Sequence, residues 1–313
     1  MKMVIIEPLG VEQEALLKTA HEILSDRVEI VYYAERTTDT AQLIERGKDA
    51  DIIVEANLPL SSEVIDGFEK CTLLSVAFTG VDHIAMDKCK EKGITVCNCS
   101  GYSNEAVADL VFAMILALYR ELLAADGAVR GGRTKEGLKQ YELSGKNFGI
   151  VGTGAIGLTV AKIAQAFGCR VYAYSRTIKD ISGITYVSLD ELLSVCDIVT
   201  LHVPSNEQTK NMINAEKIAL MKKTAILINC ARGPVLDSHA LADALNAGKI
   251  AGAGIDVFEE EPPVSPDNPL LNCKNTILTP HIGFATKEAL EKRAVIVFEN
   301  VAAFLDKKPQ NVM

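Results

Sequence analysis

Short runs of β-branched and aliphatic residues alternate along the chain with stretches whose apolar positions recur every three or four residues. The runs Val4–Glu7, Glu29–Tyr32, Asp51–Glu55, Leu73–Phe78 and Thr95–Cys97 predict strands. Gln13–Leu24, Thr40–Gly47, Ser61–Phe68 and Met86–Lys92 predict the helices between them. Strand-then-helix alternation points to a parallel sheet covered by helices on both faces.

A second series follows. Strands are predicted at Asn147–Val151, Arg170–Tyr174, Ile198–His202, Ala225–Asn229, Gly252–Asp256 and Thr276–Thr279. Helices are predicted at Ile156–Phe167, Leu189–Val195, Ala215–Leu220 and Ser238–Ala247. In the first of these helices Ile156, Val160, Ile163 and Phe167 form an apolar stripe suited to lying on a sheet. Between the series, Tyr102–Arg120 reads as one long helix, with Ser103 able to cap its first amides. Gly127–Gly137 reads as a loop or arm, and Lys287–Leu305 as a last helix that packs back on the first series. Faint echoes, such as Asp51-Ile52-Ile53-Val54 against Asp197-Ile198-Val199-Thr200, suggest two α/β domains of related build.

Composition narrows the class. The 313 residues are 48% hydrophobic, enough for two cores. The net charge is −9 with no basic block, which argues against a nucleic-acid partner. Met1-Lys2-Met3 runs straight into the first strand, so no secretory leader is expected. The most apolar run, Leu110–Tyr119, falls short of the roughly 20 residues a bilayer needs, so no membrane partner is expected. The eight cysteines are scattered in apolar segments, and Cys97-Asn98-Cys99 is the only close pair. They read as reduced packing residues in a cytoplasmic protein, with no metal site.

The chemistry begins at Gly152-Thr153-Gly154-Ala155-Ile156-Gly157, placed between a predicted strand and a predicted helix. In that context the first glycine makes a tight turn, the second lets backbone approach a pyrophosphate, and the third lets helix and strand pack closely. The helix's free amides then face the phosphates. The next strand ends at Tyr174 and is followed by Ser175-Arg176-Thr177, where an acidic residue would hold a ribose 2′-hydroxyl. A hydroxyl, a cation and a second hydroxyl suit a 2′-phosphate better. NADP is therefore favoured, with NAD still possible.

Polar residues gather after the later strands: Asn229-Cys230-Ala231-Arg232-Gly233, Asp256-Val257, Glu259-Glu260-Glu261, and Thr279-Pro280-His281-Ile282-Gly283. Ligands of open α/β sheets sit outside the carboxyl ends of the strands, so these segments can converge on one site. Reducing a 2-keto acid needs a cation for the carboxylate and carbonyl, a proton donor, and an anion that holds the donor charged. Arg232, His281 and Glu261 supply one each.

These segments, together with Thr79-Gly80-Val81-Asp82-His83-Ile84 and His202-Val203-Pro204, give the chain a resemblance to the D-isomer-specific 2-hydroxyacid dehydrogenases. The resemblance spans nearly the whole chain. It implies an α/β fold of two Rossmann/flavodoxin-like parallel-sheet domains, the substrate domain discontinuous. Residues 1–99 and 285–313 would form that domain, 100–284 the dinucleotide domain, with a cleft between them. It also implies a homodimer built largely through the cofactor domain, which suits the apolar Leu110–Tyr119 helix.

By the same resemblance Arg232, Glu261 and His281 are catalytic, and Thr79 and Gly80 bind the substrate carboxylate through backbone amides. Asp256 meets the nicotinamide carboxamide, His202, Val203 and Pro204 line the adenine side, and Cys230 and Gly283 belong to the cofactor site. Few cations stand out in the candidate pocket loops Asn57–Ser61 and Phe78–His83. This favours a small glyoxylate- or hydroxypyruvate-type acid over phosphoglycerate or a branched 2-keto acid. The longer, allosteric phosphoglycerate enzymes carry a further domain, which is not expected after Met313. A dinucleotide-sensing scaffold like the related co-repressors is the other class of reading; the expected lack of a disordered tail weighs against it.

Overall fold

In the computed structural model, which describes residues 1–261 and 263–313, the chain divides into two compact units. One comprises Met1–Ser103 with Ala285–Met313, the other Asn104–Phe284. Pro262, quoted above beside Glu261, lies outside the described residues.

The first unit runs β1 (Lys2–Ile5), α1 (Gln13–Leu24), β2 (Glu29–Tyr32), α2 (Thr40–Gly47), β3 (Ile52–Glu55), α3 (Ser62–Gly67), β4 (Leu73–Val76), α4 (Met86–Glu91) and β5 (Thr95–Cys97). The strands form one parallel sheet in the order β2-β1-β3-β4-β5. β3 and β4 are buried at every position, which is why they read as unbroken apolar runs. Asp39 and Ser61 cap α2 and α3 by accepting from the Gln42 and Val64 amides, each worth about 1 kcal/mol. The C-terminal helix Lys287–Leu305 packs on α1 and β4, and Ser75 Oγ donates to Val297 O at 3.0 Å. Asn300, also on that helix, donates from Nδ2 to Asn98 O at 2.9 Å.

The second unit runs α5 (Asn104–Tyr119), α6 (Leu122–Arg130), β6 (Asn147–Val151), α7 (Ala155–Ala166), β7 (Arg170–Tyr174), β8 (Ile184–Tyr186), α8 (Leu189–Val195), β9 (Ile198–Leu201), α9 (Ala215–Ala219), β10 (Ile226–Asn229), α10 (Ser238–Asn246), β11 (Gly252–Ile255) and β12 (Thr276–Leu278). All its strands are parallel, in the order β8-β7-β6-β9-β10-β11-β12. Apolar side chains fill both faces of the sheet. Phe148, Ile150, Ile226 and Ile228 face a core with α5 and α7, while Val151, Leu227 and Ala253 face one with Leu192, Leu193 and Leu241. Each fully buried side chain of this size contributes about 1.5–3 kcal/mol.

Two expectations change. Residues 127–130 of the expected loop or arm belong instead to α6 (Leu122–Arg130), with Gly127 inside it; a Cβ there would meet nothing within 4 Å, so the glycine sits on an open helix face. The stripe expected on α7 forms only part of its buried face: Val160 is fully buried, and Ile156 and Ile163 are half-buried against the core. Val160, Ala161 and Ala164 point inward, small enough for α5 to come close, and Phe167 ends up 41% exposed while stacking on Phe112 at 5.4 Å. The apolar run Leu110–Tyr119 is part of a buried helix, as expected, with Val111, Phe112, Met114, Ile115 and Tyr119 in the core and Leu110, Leu116 and Leu118 half-buried. Among the described residues no helix is long and apolar enough to cross a membrane, and no cluster of His, Cys, Asp or Glu is placed to hold a metal. All eight cysteines are unpaired thiols, and burial pushes Cys97 up to about 11 and Cys99 to about 12.

Candidate active site

In the second sheet the strand order reverses between β6 and β9, the place where doubly wound sheets bind ligands at their carboxyl ends. The glycine turn leaves β6 at that point. Gly152 has φ +102°, and a Cβ there would lie 2.5 Å from His202 O, so only glycine fits. A Cβ on Gly157 would lie 2.1 Å from Gly152 O, which closes the helix onto the strand. Gly154 differs: a Cβ there would meet nothing within 4 Å. It is the N-cap of α7 and offers no side chain to the first amides, and Gly154 and Ala155 are exposed. Thr153 is buried and Ile156 half-buried. An open, uncapped helix start at the switch point is what a dinucleotide pyrophosphate requires, so these residues fit the expected cofactor.

Ser175 is half-buried after β7, while Arg176 and Thr177 are exposed. Arg176 Nη1 donates to Gln208 Oε1 at 3.3 Å. The sequence reading missed Lys179, whose Nζ donates to Thr153 O at 2.8 Å. Tyr186 Oη lies 3.2 Å from Thr153 Oγ1 and so joins the same turn. Two cations thus follow β7, one of them fastened to the glycine turn itself.

After β9, His202 and Val203 are half-buried and Pro204 is exposed. His202 Nε2 lies 3.0 Å from Thr200 Oγ1, and burial pushes the imidazole down to about 4, leaving it neutral at neutral pH. Cys230 is buried against Met114 Sδ at 3.9 Å, and burial drives its thiol pKa far up, which makes it an unreactive wall.

The loop after β10 carries Arg232. Asn229, fully buried, accepts from the Ala231 amide at 3.0 Å and donates to Arg232 O at 3.0 Å. Gly233 lets this loop lie directly on the one after β11: a Cβ there would sit 1.9 Å from the Phe258 carbonyl carbon. Glu261 follows, and its Oε2 accepts from the Phe258 amide at 3.3 Å. Its Oε1 lies 2.8 Å from His281 Nδ1, with the two side chains 20% and 23% exposed. The His281 ring packs edge-on against Phe284, 5.4 Å between centroids, and its backbone is left-handed at φ +55°.

Asp256 fixes that histidine's loop. It is 1% exposed, and its Oδ1 accepts from Thr279 Oγ1 at 2.5 Å and the Ile282 amide at 2.8 Å. Its Oδ2 accepts from the Gly283 amide at 2.8 Å, and its carbonyl accepts from the His281 amide at 2.8 Å. Burial raises the Asp256 pKa although these donors and His281 oppose the shift. The structure therefore brings Glu261, His281, Asp256 and Gly283 into one hydrogen-bonded group, and stacks the Arg232 loop on its margin.

In the first unit Thr79 and Gly80 are half-buried after β4, and Asn98 Nδ2 holds Thr79 O at 2.7 Å. Nearby loops contain a cation that the sequence did not reveal. Arg36, from the loop after β2, donates from Nη1 to Asn57 Oδ1 at 2.7 Å and to Glu7 Oε2 at 2.5 Å. Its distance along the chain hid this; only the order β2-β1-β3 brings the two loops together.

Comparison with known proteins bears on all of this. The family model described as "D-isomer specific 2-hydroxyacid dehydrogenase, NAD binding domain" matches residues 112–283. A glyoxylate reductase of Korarchaeum cryptofilum (strain OPF8) is 40% identical over 84% of this chain and 82% of its own. A hydroxypyruvate reductase of Blautia hydrogenotrophica (strain DSM 10507 / JCM 14656 / S5a33) is 38% identical over 91% of each. Among solved structures, an acyclic imino acid reductase in complex with NADPH and D-arginine superposes with a TM-score of 0.92 at 31% identity, covering 100% of both chains. Similarity of this depth along nearly the full length settles the lineage: the chain belongs to the D-isomer specific 2-hydroxyacid dehydrogenase family and is an oxidoreductase with a nicotinamide-dinucleotide domain.

Proposed function

We propose that the enzyme interconverts a small 2-keto acid of the glyoxylate/hydroxypyruvate type and its D-2-hydroxy acid, with His281 as the acid/base, Glu261 as its partner and Arg232 as the anchor for carboxylate and carbonyl. The observation that carries this reading is the His281 Nδ1–Glu261 Oε1 contact of 2.8 Å, in a group that also fixes the histidine's backbone.

A 2-keto acid becomes a 2-hydroxy acid when its carbonyl carbon gains a hydride and its oxygen a proton. The bound nicotinamide supplies or accepts the hydride. His281 gives the proton to the carbonyl oxygen from Nε2, because Nδ1 is engaged by Glu261. The carboxylate favours the charged ring before transfer. In the oxidative direction the neutral ring takes the proton from the hydroxyl. Arg232 pairs with the substrate carboxylate and draws charge toward the carbonyl oxygen. The backbone amides of Thr79 and Gly80 add donors for the carboxylate.

Residues 152–157 would hold the dinucleotide, with Asp256 toward its nicotinamide carboxamide, His202, Val203 and Pro204 along its adenine side, and Cys230 and Gly283 completing the site. NADP is the preferred form. Ser175, Arg176, Thr177 and Lys179 present hydroxyls and cations after β7, and none of the four carries the negative charge that would repel a 2′-phosphate. The relatives named glyoxylate and hydroxypyruvate reductase support the substrate class. A homodimer goes with this reading, and exposed Leu122, Leu123, Val129 and Tyr141 around α6 supply apolar surface for it. A reducing cytoplasm suits the unpaired cysteines.

The test is steady-state turnover of glyoxylate, hydroxypyruvate, pyruvate and 2-ketoisocaproate, each with NADPH and NADH. Highest kcat/KM on the first two acids with NADPH is the expected result. Clear preference for NADH overturns the cofactor assignment. Dinucleotide binding without turnover of any acid overturns the enzymatic reading in favour of a sensing scaffold.

A further inference from the structure

The acidic run Glu259-Glu260-Glu261 does more than carry Glu261. Glu259 turns back to the amino end of α10. There its Oε2 accepts from Ser238 Oγ at 2.8 Å and its Oε1 from the Ser238 amide at 3.3 Å. Ser238 is 6% exposed, so the carboxylate is fastened at the edge of the core and not to a mobile surface group. The helix does not need this contact for its own sake. Asp237 already caps α10 by accepting from the Ala240 amide at 2.9 Å. A second carboxylate, brought from a loop 21 residues further along, therefore constrains that loop more than it serves the helix.

What it constrains is the relation between two loops of the second unit. The loop after β10 carries Arg232 and runs through Gly233 into α10; the loop after β11 carries Glu261. They meet at Gly233, where a Cβ would lie 1.9 Å from the Phe258 carbonyl carbon and 2.5 Å from the Glu259 amide nitrogen. One point of contact leaves a loop able to pivot about it. The Glu259–Ser238 pair is a second point, further along the first loop. Two points fix the direction in which the chain leaves Phe258, and with it the place of Glu261.

The other tether of Glu261 is weak. Its Oε2 accepts from the Phe258 amide at 3.3 Å, a long bond that holds little by itself. Its Oε1 lies 2.8 Å from His281 Nδ1, and that short contact demands a well-placed carboxylate. Charge works in the same direction as the hydrogen bonds. A carboxylate is favoured beside the positive end of a helix, so the field of α10 helps to keep Glu259 at Ser238.

We propose that Glu259 is a positioning residue: by tying its loop to Ser238 it holds the Glu261 carboxylate against His281, and turnover depends on it although it touches neither substrate nor the reacting atoms. The proposal rests on the reading of His281 and Glu261 as acid/base and partner given above, and adds what keeps the partner in place.

The experiment measures kcat with glyoxylate and hydroxypyruvate, and dinucleotide Kd, for the wild type, Glu259→Ala, Glu259→Gln, Ser238→Ala, Glu261→Gln and the double variant Glu259→Ala/Glu261→Gln. Rates are expressed per dinucleotide-binding site, so unfolded chains do not count. A shift of about 1 Å in a catalytic group costs up to about 10²-fold in rate, so Glu259→Ala should lower kcat by about tenfold or more. Its dinucleotide Kd should change less than about threefold. Glu259→Gln should recover most of the loss, because its carbonyl oxygen accepts from the Ser238 amide and its NH2 group donates to Ser238 Oγ. Ser238→Ala removes only the shorter bond and should lower kcat by about threefold; it is the milder test should Glu259→Ala fold poorly. In the double variant Glu259→Ala should cost nothing beyond Glu261→Gln, since no carboxylate is left to place. A kcat unchanged in either Glu259→Ala or Ser238→Ala, with only the melting temperature lowered, makes the contact a second helix cap and overturns the proposal. Losses that multiply in the double variant overturn it too, because Glu259 then acts other than through Glu261. A kcat that survives Glu261→Gln overturns the catalytic reading, and the positioning role falls with it. Turnover of neither acid by the wild type overturns the keto-acid reading and this proposal together.

Discussion

His281 Nδ1 lies 2.8 Å from Glu261 Oε1, and both residues follow strands of the same parallel sheet. The pair is set by backbone as much as by side chains, since Asp256 accepts from the amides of His281, Ile282 and Gly283. His281→Ala should lower kcat by about 10³-fold and Glu261→Gln by about 10²-fold. Dinucleotide affinity, read by quenching of nicotinamide fluorescence, should change less than about threefold in both. Equal loss of binding and turnover would assign the pair to structure instead.

Asp256→Asn separates positioning from chemistry. The amide keeps the shape but turns a donor toward the amides or hydroxyl that the carboxylate now accepts from. The expected cost is about 2 kcal/mol in unfolding free energy, with a fall in kcat although His281 and Glu261 are both present. Denaturant unfolding and turnover measured side by side check this; an intact kcat would show that the loop keeps its place without Asp256.

Two glycines make opposite predictions. A methyl group on Gly233 meets the Phe258 carbonyl carbon at 1.9 Å, so Gly233→Ala should destabilise the fold by about 2–3 kcal/mol and disturb Arg232. A methyl group on Gly154 meets no protein atom within 4 Å, so Gly154→Ala should leave the melting temperature nearly unchanged. It should nevertheless weaken dinucleotide binding by about tenfold, or about 1.4 kcal/mol, by occupying space the pyrophosphate needs. Unaltered binding by Gly154→Ala would remove the glycine turn from the cofactor site.

Cofactor choice is testable after β7. Ser175→Asp should raise the NADPH Kd by about tenfold and spare NADH. Lys179→Ala should weaken both forms, and NADPH more, because Lys179 Nζ is fastened to Thr153 O within the glycine turn. Equal effects on the two cofactors from both variants would move the 2′-phosphate elsewhere.

His202 should set part of the acid limit. Its imidazole is lowered to about 4 in the folded chain, against about 6.5 when unfolded. The unfolded chain therefore binds the extra proton first. The stability tied to the neutral ring is whole above about pH 6.5 and is lost as pH falls toward 4, about 2 kcal/mol after allowing for the ring's partial exposure. Thermal melts across that window should fall more steeply for the wild type than for His202→Gln; parallel slopes would locate the acid sensitivity elsewhere.

Most strands and helices were legible because their patterns are strong. Glu29–Tyr32, Asn147–Val151 and Gln13–Leu24 appear with the bounds the sequence predicts. β8 was missed because Ile184-Thr185-Tyr186 is a partly exposed edge strand of three residues, too short for its alternation to stand out. α6 was missed because Gly127, Gly131 and Gly132 read as breakers, although an exposed helical glycine costs only about 1 kcal/mol. The group around His281 was readable because its members lie in the loops that leave β11 and β12. Arg36 and Lys179 were not, because each reaches its partner across a loop, and hydrophobic periodicity carries no information about which loops meet.

The left-handed backbone of His281 bears on any attempt to harden this protein. An L-residue at φ +55° carries a conformational penalty that glycine avoids and asparagine tolerates better. Selection for heat resistance alone would thus favour replacing the one imidazole on which turnover is proposed to depend. Libraries screened by survival after heating should accumulate robust but inert members at this position, so a useful screen must score product formation in the same round.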